Sequence, residues 1–157
     1  MISITRSFSW DAAHRVLGHE GKCRHIHGHR YTAEVTVEAS KLDSLGRVID
    51  FSCLKEIIGG WIDKNWDHNV LLHMDDPLMK LWYGDNWNEV KKMFGDKIPF
   101  NMGSKNPTAE NLAVCLYEQL HTPNLLPSDI KIIHIRLWET ASCFCDFYPD
   151  SSPLPTR

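Results

Sequence analysis

A strict alternation of apolar and polar side chains constrains the fold of this chain more than any other feature of its sequence. The apolar positions Tyr31, Ala33, Val35 and Val37 alternate with Thr32, Glu34, Thr36 and Glu38. Successive side chains of a strand point to opposite faces, so this pattern predicts a strand with one buried face, as antiparallel sheets have. We expect this strand to begin at His27.

Three further segments have the composition of strands. Residues 2–10 mix β-branched and aromatic types with polar alternates, and residues 131–139 and 143–148 are similarly rich in strand-forming side chains. Residues 11–26 are punctuated by glycine, and we expect them to be irregular. The sequence therefore predicts four strands.

Apolar residues that recur at intervals of three and four predict two helices. The first follows Ser52, which we expect to be its N-cap, and the second follows Thr108, a second expected N-cap. Residues 75–106, with one short helix expected at 88–94, are an excursion from the domain body. The order strand, strand, helix, helix, strand, strand predicts an α+β fold.

Composition narrows the class of protein. The length of 157 residues predicts a single domain at 1–149, with a disordered Pro- and Ser-rich tail at 150–157. Seventeen Lys and Arg against twenty Asp and Glu give a net charge of −3, which argues against nucleic-acid binding. We expect no membrane span, because the uncharged apolar runs are far shorter than about 18 residues, and no secretory signal, because residues 1–15 hold no apolar block. The five cysteines are odd in number and irregularly spaced, which predicts a cytoplasmic location.

Histidine is concentrated near the start of the chain, where five of the nine histidines lie between positions 14 and 29. His27 and His29 point to the same face of their strand. His14 ends the first strand, where antiparallel pairing could bring it beside them. Three histidines with a fourth position left open are typical of catalytic zinc sites.

Other interpretations of this cluster stay open on residue chemistry alone. Cys23 could join the three histidines in a closed structural zinc site. Its neighbours Lys22 and Arg24 instead favour a reactive thiolate, because cationic groups lower the pKa of a thiol. The spacing of His27 and His29 could also be accidental, and His19 and His25 are expected to be polar surface residues.

Two further groups could take part in chemistry. Asp67 could fix the tautomer of His68, although the pair could equally be a solvated helix end. Glu139 closes an apolar strand, where its carboxylate is either exposed at the rim or accepts hydrogen bonds from a ligand.

Taken together, these residues stand in motifs that resemble the 6-pyruvoyltetrahydropterin synthase superfamily. The matching segments are Ala12-Ala13-His14, Lys22-Cys23-x-x-x-His27-Gly28-His29-x-Tyr31, Gly46-x-x-x-Asp50-Phe51-x-x-Leu54-Lys55, Asp67-His68, Pro107-Thr108-x-Glu110-Asn111-x-Ala113 and Glu139-Thr140. The three-residue gap between Cys23 and His27 resembles the branch that makes 6-carboxytetrahydropterin. Residues 75–106 exceed the usual family connection, and Trp66 stands where many relatives have leucine.

The resemblance implies a tunnelling fold. Each subunit would supply a four-stranded antiparallel sheet with two helices on one face. Subunits would join edge to edge into a barrel, as a homo-oligomer that is a tetramer or a hexamer, with active sites at the subunit interfaces.

The resemblance also implies an activity and a set of site residues. The substrate would be 7,8-dihydroneopterin triphosphate, converted to 6-carboxytetrahydropterin with loss of acetaldehyde and triphosphate, and the alternatives are a 6-pyruvoyl product or cleavage of dihydroneopterin. Zinc would be the cofactor, bound by His14, His27 and His29. Cys23 would accept the proton, His68 and Glu139 would complete the relay, Asp67 would orient His68, and Glu139 and Thr108 would contact the pterin.

Overall fold

The computed structural model describes residues 2–84, 86–95, 97–121 and 125–149. The tail predicted at residues 150–157 lies outside the described residues. Six strands form one sheet: β1 (Ser3–His14), β2 (His27–Ala39), β3 (Asn69–Leu72), β4 (Phe100–Asn101), β5 (Ile130–Thr140) and β6 (Cys143–Phe147). Their order across the sheet is β4-β3-β1-β2-β5-β6.

The prediction of a four-stranded antiparallel sheet is therefore wrong in strand number and in direction. The four predicted strands do pair in antiparallel fashion as β1-β2-β5-β6, but β3 and β4 extend the sheet in parallel beyond β1. Strands of four and two residues are too short for alternation to reveal them. β1 also continues to His14, because residues 11–14 pair with residues 27–30.

The helices are α1 (Phe51–Leu54), α2 (Gly60–Asn65), α3 (Pro77–Tyr83), α4 (Trp87–Phe94) and α5 (Ala109–His121). A π-helical stretch, Lys55–Gly59, joins α1 and α2 into one continuous segment, and a short 3₁₀ turn spans Lys22–Arg24. The short helix predicted at 88–94 is confirmed by α4. None of the described helices is long and apolar enough to cross a membrane.

The helix caps agree with the sequence at one of two positions. Asp50, and not Ser52, caps α1, because the Asp50 Oδ1 accepts the backbone N–H of Ser52 at 2.8 Å. Thr108 caps α5 as predicted, since its hydroxyl accepts the N–H of Asn111 in a long hydrogen bond of 3.4 Å. Asp and Ser are about equally good caps, so sequence preference cannot separate Asp50 from Ser52.

The core lies between one face of the sheet and the helices. Alternate residues of β2, from Tyr31 to Val37, are fully buried, as the alternation predicts. They pack in one apolar cluster with side chains of the α1–α2 segment and of α5: Leu54, Ile58, Ile62, Leu112, Ala113, Leu116 and Leu120. The helices cover this face of the sheet, and the ends of β1, β2 and β5 lie at the border of the core.

The excursion at residues 75–106 is anchored to the domain body by polar contacts at both of its ends. Asp76 is fully buried and accepts two hydrogen bonds from the Arg15 guanidinium at 2.5 and 2.6 Å. The same carboxylate caps α3 by accepting the N–H of Leu78 at 2.9 Å. At the other end, the Asn106 side chain bonds both the N–H and the carbonyl of Leu17, at 2.8 and 3.0 Å.

An aromatic cluster joins the excursion to the core. Trp66 is fully buried, and its ring lies 5.5 Å from Trp10, 5.0 Å from Trp61 and 5.9 Å from Phe100 of β4. Edge-on and tilted aromatic contacts of this kind stabilise a core beyond the area that they bury. Trp66 therefore fills space that the excursion helps to enclose.

The Asp76–Arg15 pair can be tested without removing the α3 cap, because Asn caps a helix as well as Asp does. We expect Asp76→Asn to lower the free energy of unfolding by about 2–3 kcal/mol, since a buried charge-assisted pair loses one partner. The measurement is urea unfolding. The control is Asp75→Asn, whose carboxylate is 76% exposed and should shift the midpoint little. Equal midpoints for the two variants would contradict this role of the pair.

Candidate metal centre and catalytic cavity

Strand pairing brings three histidines together. The register of β1 with β2 places His14 opposite His27 and Ala12 opposite His29, so all three imidazoles share the helix-facing side of the sheet. Each can offer a nitrogen, and these atoms lie within 4.8 Å of one another. Gly28 allows the backbones of β1 and β2 to lie close together at this point, because a Cβ there would come within 3.3 Å of the Ala12 carbonyl oxygen.

Hydrogen bonds fix which nitrogen of two rings is available. The Nδ1 of His14 donates to the Pro107 carbonyl at 2.7 Å, and the Nδ1 of His27 donates to the His25 carbonyl at 2.8 Å. In the neutral rings both Nε2 atoms are then unprotonated, yet they lie 3.1 Å apart. Two lone pairs at that distance repel each other unless a cation lies between them.

Burial favours the neutral, metal-binding form of two of these rings, those of His14 and His29. Desolvation, with the nearby His27 and His29, lowers the pKa of His14 to about 4, although the hydrogen bond to Pro107 opposes the shift. Desolvation also lowers the pKa of His29. Neutral imidazole is the ligating species, and three such nitrogens with an open position fit Zn²⁺.

A cavity of about 250 Å³ opens beside the histidines. We call it the site cavity, and its walls are His14, Val16, His19, Cys23, Thr108, Ala109, Glu110, Glu139, Cys143 and Phe144. The structure thus brings four of the predicted site residues to one place: His14, Cys23, Thr108 and Glu139. The carboxylate of Glu139 lies 3.6 Å from the Nε2 of His14 and is 29% exposed.

Cys23 lies in the cavity wall, outside the group of potential metal ligands among the described residues. Its thiol is free and half-buried in the turn Lys22–Arg24. The two cationic residues of that turn are exposed on either side of it. The structure therefore does not place Cys23 as a fourth ligand of a closed site with the three histidines.

Asp67 and His68 lie elsewhere. His68 does not line the site cavity; it is 77% exposed and lies in a shallow depression whose lining includes Ala13, Gly28 and Arg30 and also His29 of the histidine group. The Nδ1 of His68 donates to Asp67 at 2.7 Å, so the carboxylate does fix the ring. Within one chain this pair therefore lies outside the site cavity that Cys23 and Glu139 line.

The charge of Asp67 is maintained by its surroundings. Burial alone would raise the pKa of this carboxyl, but hydrogen bonds from His68 and from the backbone N–H of Asp11 outweigh it and lower the pKa. The positive charges of His68 and Lys97 act in the same direction. Asp67 is therefore ionised at neutral pH, where its carboxylate can orient the His68 ring.

Two features of the site were missed by reasoning from sequence. His19 was expected on the surface but is half-buried in the cavity wall, while His25 is exposed as expected. Tyr31, counted only as core, lies with its ring edge-on to His14 and His29 at 5.8 and 5.6 Å. Its position two residues after the His27–His29 pair was the available signal.

Comparisons with known proteins agree with this geometry. The sequence model of the family described as 6-pyruvoyl tetrahydropterin synthase matches residues 3–150. The chain is 38% identical over 146 residues to the 6-carboxy-5,6,7,8-tetrahydropterin synthase of Rickettsia felis, covering 93% of this chain and 99% of the relative. It is 33% identical to the enzyme of the same name from Haemophilus influenzae, covering 94% of this chain and 99% of the relative.

Solved structures share the fold. An uncharacterized protein from Wolinella succinogenes superimposes with a TM-score of 0.76 at 22% identity, covering 95% of this chain and 98% of that one. The 6-pyruvoyl tetrahydropterin synthase of Caenorhabditis elegans superimposes with a TM-score of 0.64 at 21% identity, covering 95% and 96%. The resemblance stated from the sequence motifs is confirmed, and the chain belongs to the 6-pyruvoyl tetrahydropterin synthase family.

Proposed function

We propose that this protein converts 7,8-dihydroneopterin triphosphate to 6-carboxytetrahydropterin, with release of acetaldehyde and triphosphate, on the route to queuosine and other 7-deazapurines. The observation that carries the proposal is a group of three histidines that could hold a metal ion, one of which, His14, lines a cavity together with a free thiol and a carboxylate. The names of the relatives favour the 6-carboxy product over the 6-pyruvoyl alternative. Five free cysteines suit a reducing cytoplasm.

Three residues would hold the cofactor. The Nε2 atoms of His14 and His27 are free for zinc because their Nδ1 atoms are used by backbone carbonyls, and His29 lies beside them. Zinc, when bound, polarises the oxygens of the substrate side chain and acidifies the adjacent C–H. The carbonyls of Pro107 and His25 orient the rings and raise their basicity.

Cys23 would take the proton from that side chain. The thiol lies in the same cavity wall as His14 without being in the ligand group, so it can reach a substrate carbon while the histidines hold the metal. A positioned base of this kind contributes about 10²–10⁴ to the rate.

Glu139 would anchor the pterin. The amino-pyrimidinone edge of a pterin presents two adjacent N–H donors, which one carboxylate can accept together. Because Glu139 lies 3.6 Å from His14, a pterin held there has its side chain beside the metal ligands. Thr108, in the same wall, supplies a further polar contact.

The active site would be completed by assembly. His68 is fixed by Asp67 but does not line the site cavity of its own chain, so the relay would need His68 of the partner subunit. β6 is a sheet edge, and residues 3–11 of β1 have a ladder partner only in β2 among the described strands. Unpaired edges of this kind favour edge-to-edge association into a barrel, as a tetramer or a hexamer.

Product analysis tests the proposed reaction. Zinc-loaded protein incubated with 7,8-dihydroneopterin triphosphate should form 6-carboxytetrahydropterin and acetaldehyde in equal amounts, measured by mass spectrometry. Protein carrying Cys23→Ala, treated in parallel, is the control for uncatalysed breakdown. A 6-pyruvoyl product without acetaldehyde would replace the proposed reaction by its alternative.

The role of Cys23 predicts a separation of metal binding from turnover. Cys23→Ala should keep one zinc per subunit while turnover falls by about 10²–10⁴, because a base is lost and no ligand is. Metal content is measured by atomic absorption beside activity. Cys53→Ala, in α1 and away from the cavity, should change neither quantity. Loss of zinc from Cys23→Ala would make the thiol a ligand and refute its assignment as the base.

Sharing of the site between subunits predicts recovery of activity on mixing. Cys23→Ala and His68→Ala should each be inactive, but dissociating and reassembling them together should restore about one quarter of the sites. The matched control mixes Cys23→Ala with Glu139→Gln, which affects the same cavity of one chain and should recover nothing. A first mixture that assembles normally yet stays inactive contradicts the shared site.

A further inference from the structure

The loop between β1 and β2 is a rigid wall of the site cavity. The N–H of Val16 donates to the Cys23 carbonyl at 2.9 Å and so closes residues 16–23 into one loop. The backbone of Leu17 is held in both directions by the Asn106 side chain, at 2.8 and 3.0 Å. Groups carried by this loop are therefore fixed relative to Cys23.

His19 is the oriented group on this loop. Its ring lines the site cavity, and its Nδ1 accepts the backbone N–H of Gly21 at 2.8 Å. The neutral ring then carries its hydrogen on Nε2, which makes that nitrogen a hydrogen-bond donor. A Cβ at position 21 would lie 3.0 Å from the Cε1 and 3.3 Å from the Nδ1 of His19, so alanine there would displace the ring by a few tenths of an ångström.

The charges around the cavity are unevenly distributed. The walls formed by α5 and the end of β5 contain two carboxylates, Glu110 and Glu139. The loop residues that line the cavity, Val16, His19 and Cys23, are not acidic, and beside them the exposed Lys22 and Arg24 outnumber the one exposed acidic residue, Glu20. An anion entering the cavity is repelled from the first side and attracted to the second.

We propose that His19 binds the triphosphate end of the substrate, with its Nε2–H donating to a phosphate oxygen. The inference rests on the proposed function, which places the pterin at Glu139 and the reacting side chain at Cys23. The phosphates continue from that side chain and must lie away from the carboxylates, on the side of the loop. His19 then distinguishes the triphosphate substrate from its dephosphorylated form.

Calorimetric titration of zinc-loaded protein with inorganic triphosphate tests this site directly. We expect His19→Ala to weaken the binding by about 10- to 100-fold, the usual loss for a hydrogen bond to a charged group. His19→Gln should recover much of it, because the glutamine Nε2 can supply an N–H at a similar place. Any contribution of zinc to anion binding is common to these proteins and cancels in the ratio.

Two further variants separate orientation of the ring from loss of the ring. Gly21→Ala keeps His19 but displaces its ring. The backbone can accept this change, because the φ of Gly21 is −100°, which alanine adopts readily. We expect this variant to weaken triphosphate binding as well. His121→Ala removes an exposed histidine at the end of α5 that stacks on Tyr117, and it should leave triphosphate binding unchanged.

Titration with dihydroneopterin, which lacks phosphates, completes the design. Its affinity should be the same for wild type and His19→Ala. Unchanged triphosphate binding in His19→Ala, equal losses for both ligands, or no binding of triphosphate to wild type would each overturn the inference. Wild type that turns over substrate while triphosphate binding is independent of His19 refutes only the inference. Binding through His19 in a protein without that turnover refutes only the proposed reaction.

Discussion

The ladder between β1 and β2 is the constraint on which the site depends. It runs without a break from the pair Ser3–Glu38 to the pair His14–His27. A shift of one residue would send every side chain of a strand to the opposite face. The stacked rings of Trp10 and Tyr31, 5.5 Å apart and both buried, hold the register two pairs before the histidines. The three histidines of the candidate metal centre are thus placed by a rigid sheet and not by a flexible loop.

The sequence predicts those parts of the structure that depend on periodicity. The alternation at residues 31–38 is enough to locate β2 and to place His27 and His29 on one face. Predictions from sequence fail where tertiary contacts decide the outcome. β3 forms at Asn69–Leu72 because it pairs with the end of β1, and four residues carry no readable period. The orientation of His19 depends on the Gly21 amide, which no pattern of residue types reveals.

Backbone carbonyls decide the chemistry of the histidines as much as the imidazoles do. Pro107 precedes α5 and follows the excursion, and its carbonyl accepts from the Nδ1 of His14. A carbonyl exists at every residue, so the sequence gives no sign of this contact. α5 and its cap Thr108, which lines the cavity wall, are therefore attached to the ring of His14 through Pro107, the residue immediately before the cap.

The ion pair of Arg15 with Asp76 has a consequence for the excursion at residues 75–106. His14 and Arg15 are consecutive residues. The Arg15 side chain is held by Asp76, and the His14 side chain belongs to the cluster of imidazoles. Thermodynamic linkage between two such sites is reciprocal: the free energy by which one site stabilises the other is the same in both directions. A ligand bound to the three histidines would therefore stabilise the anchored excursion, and the anchored excursion would stabilise binding of that ligand to the same extent.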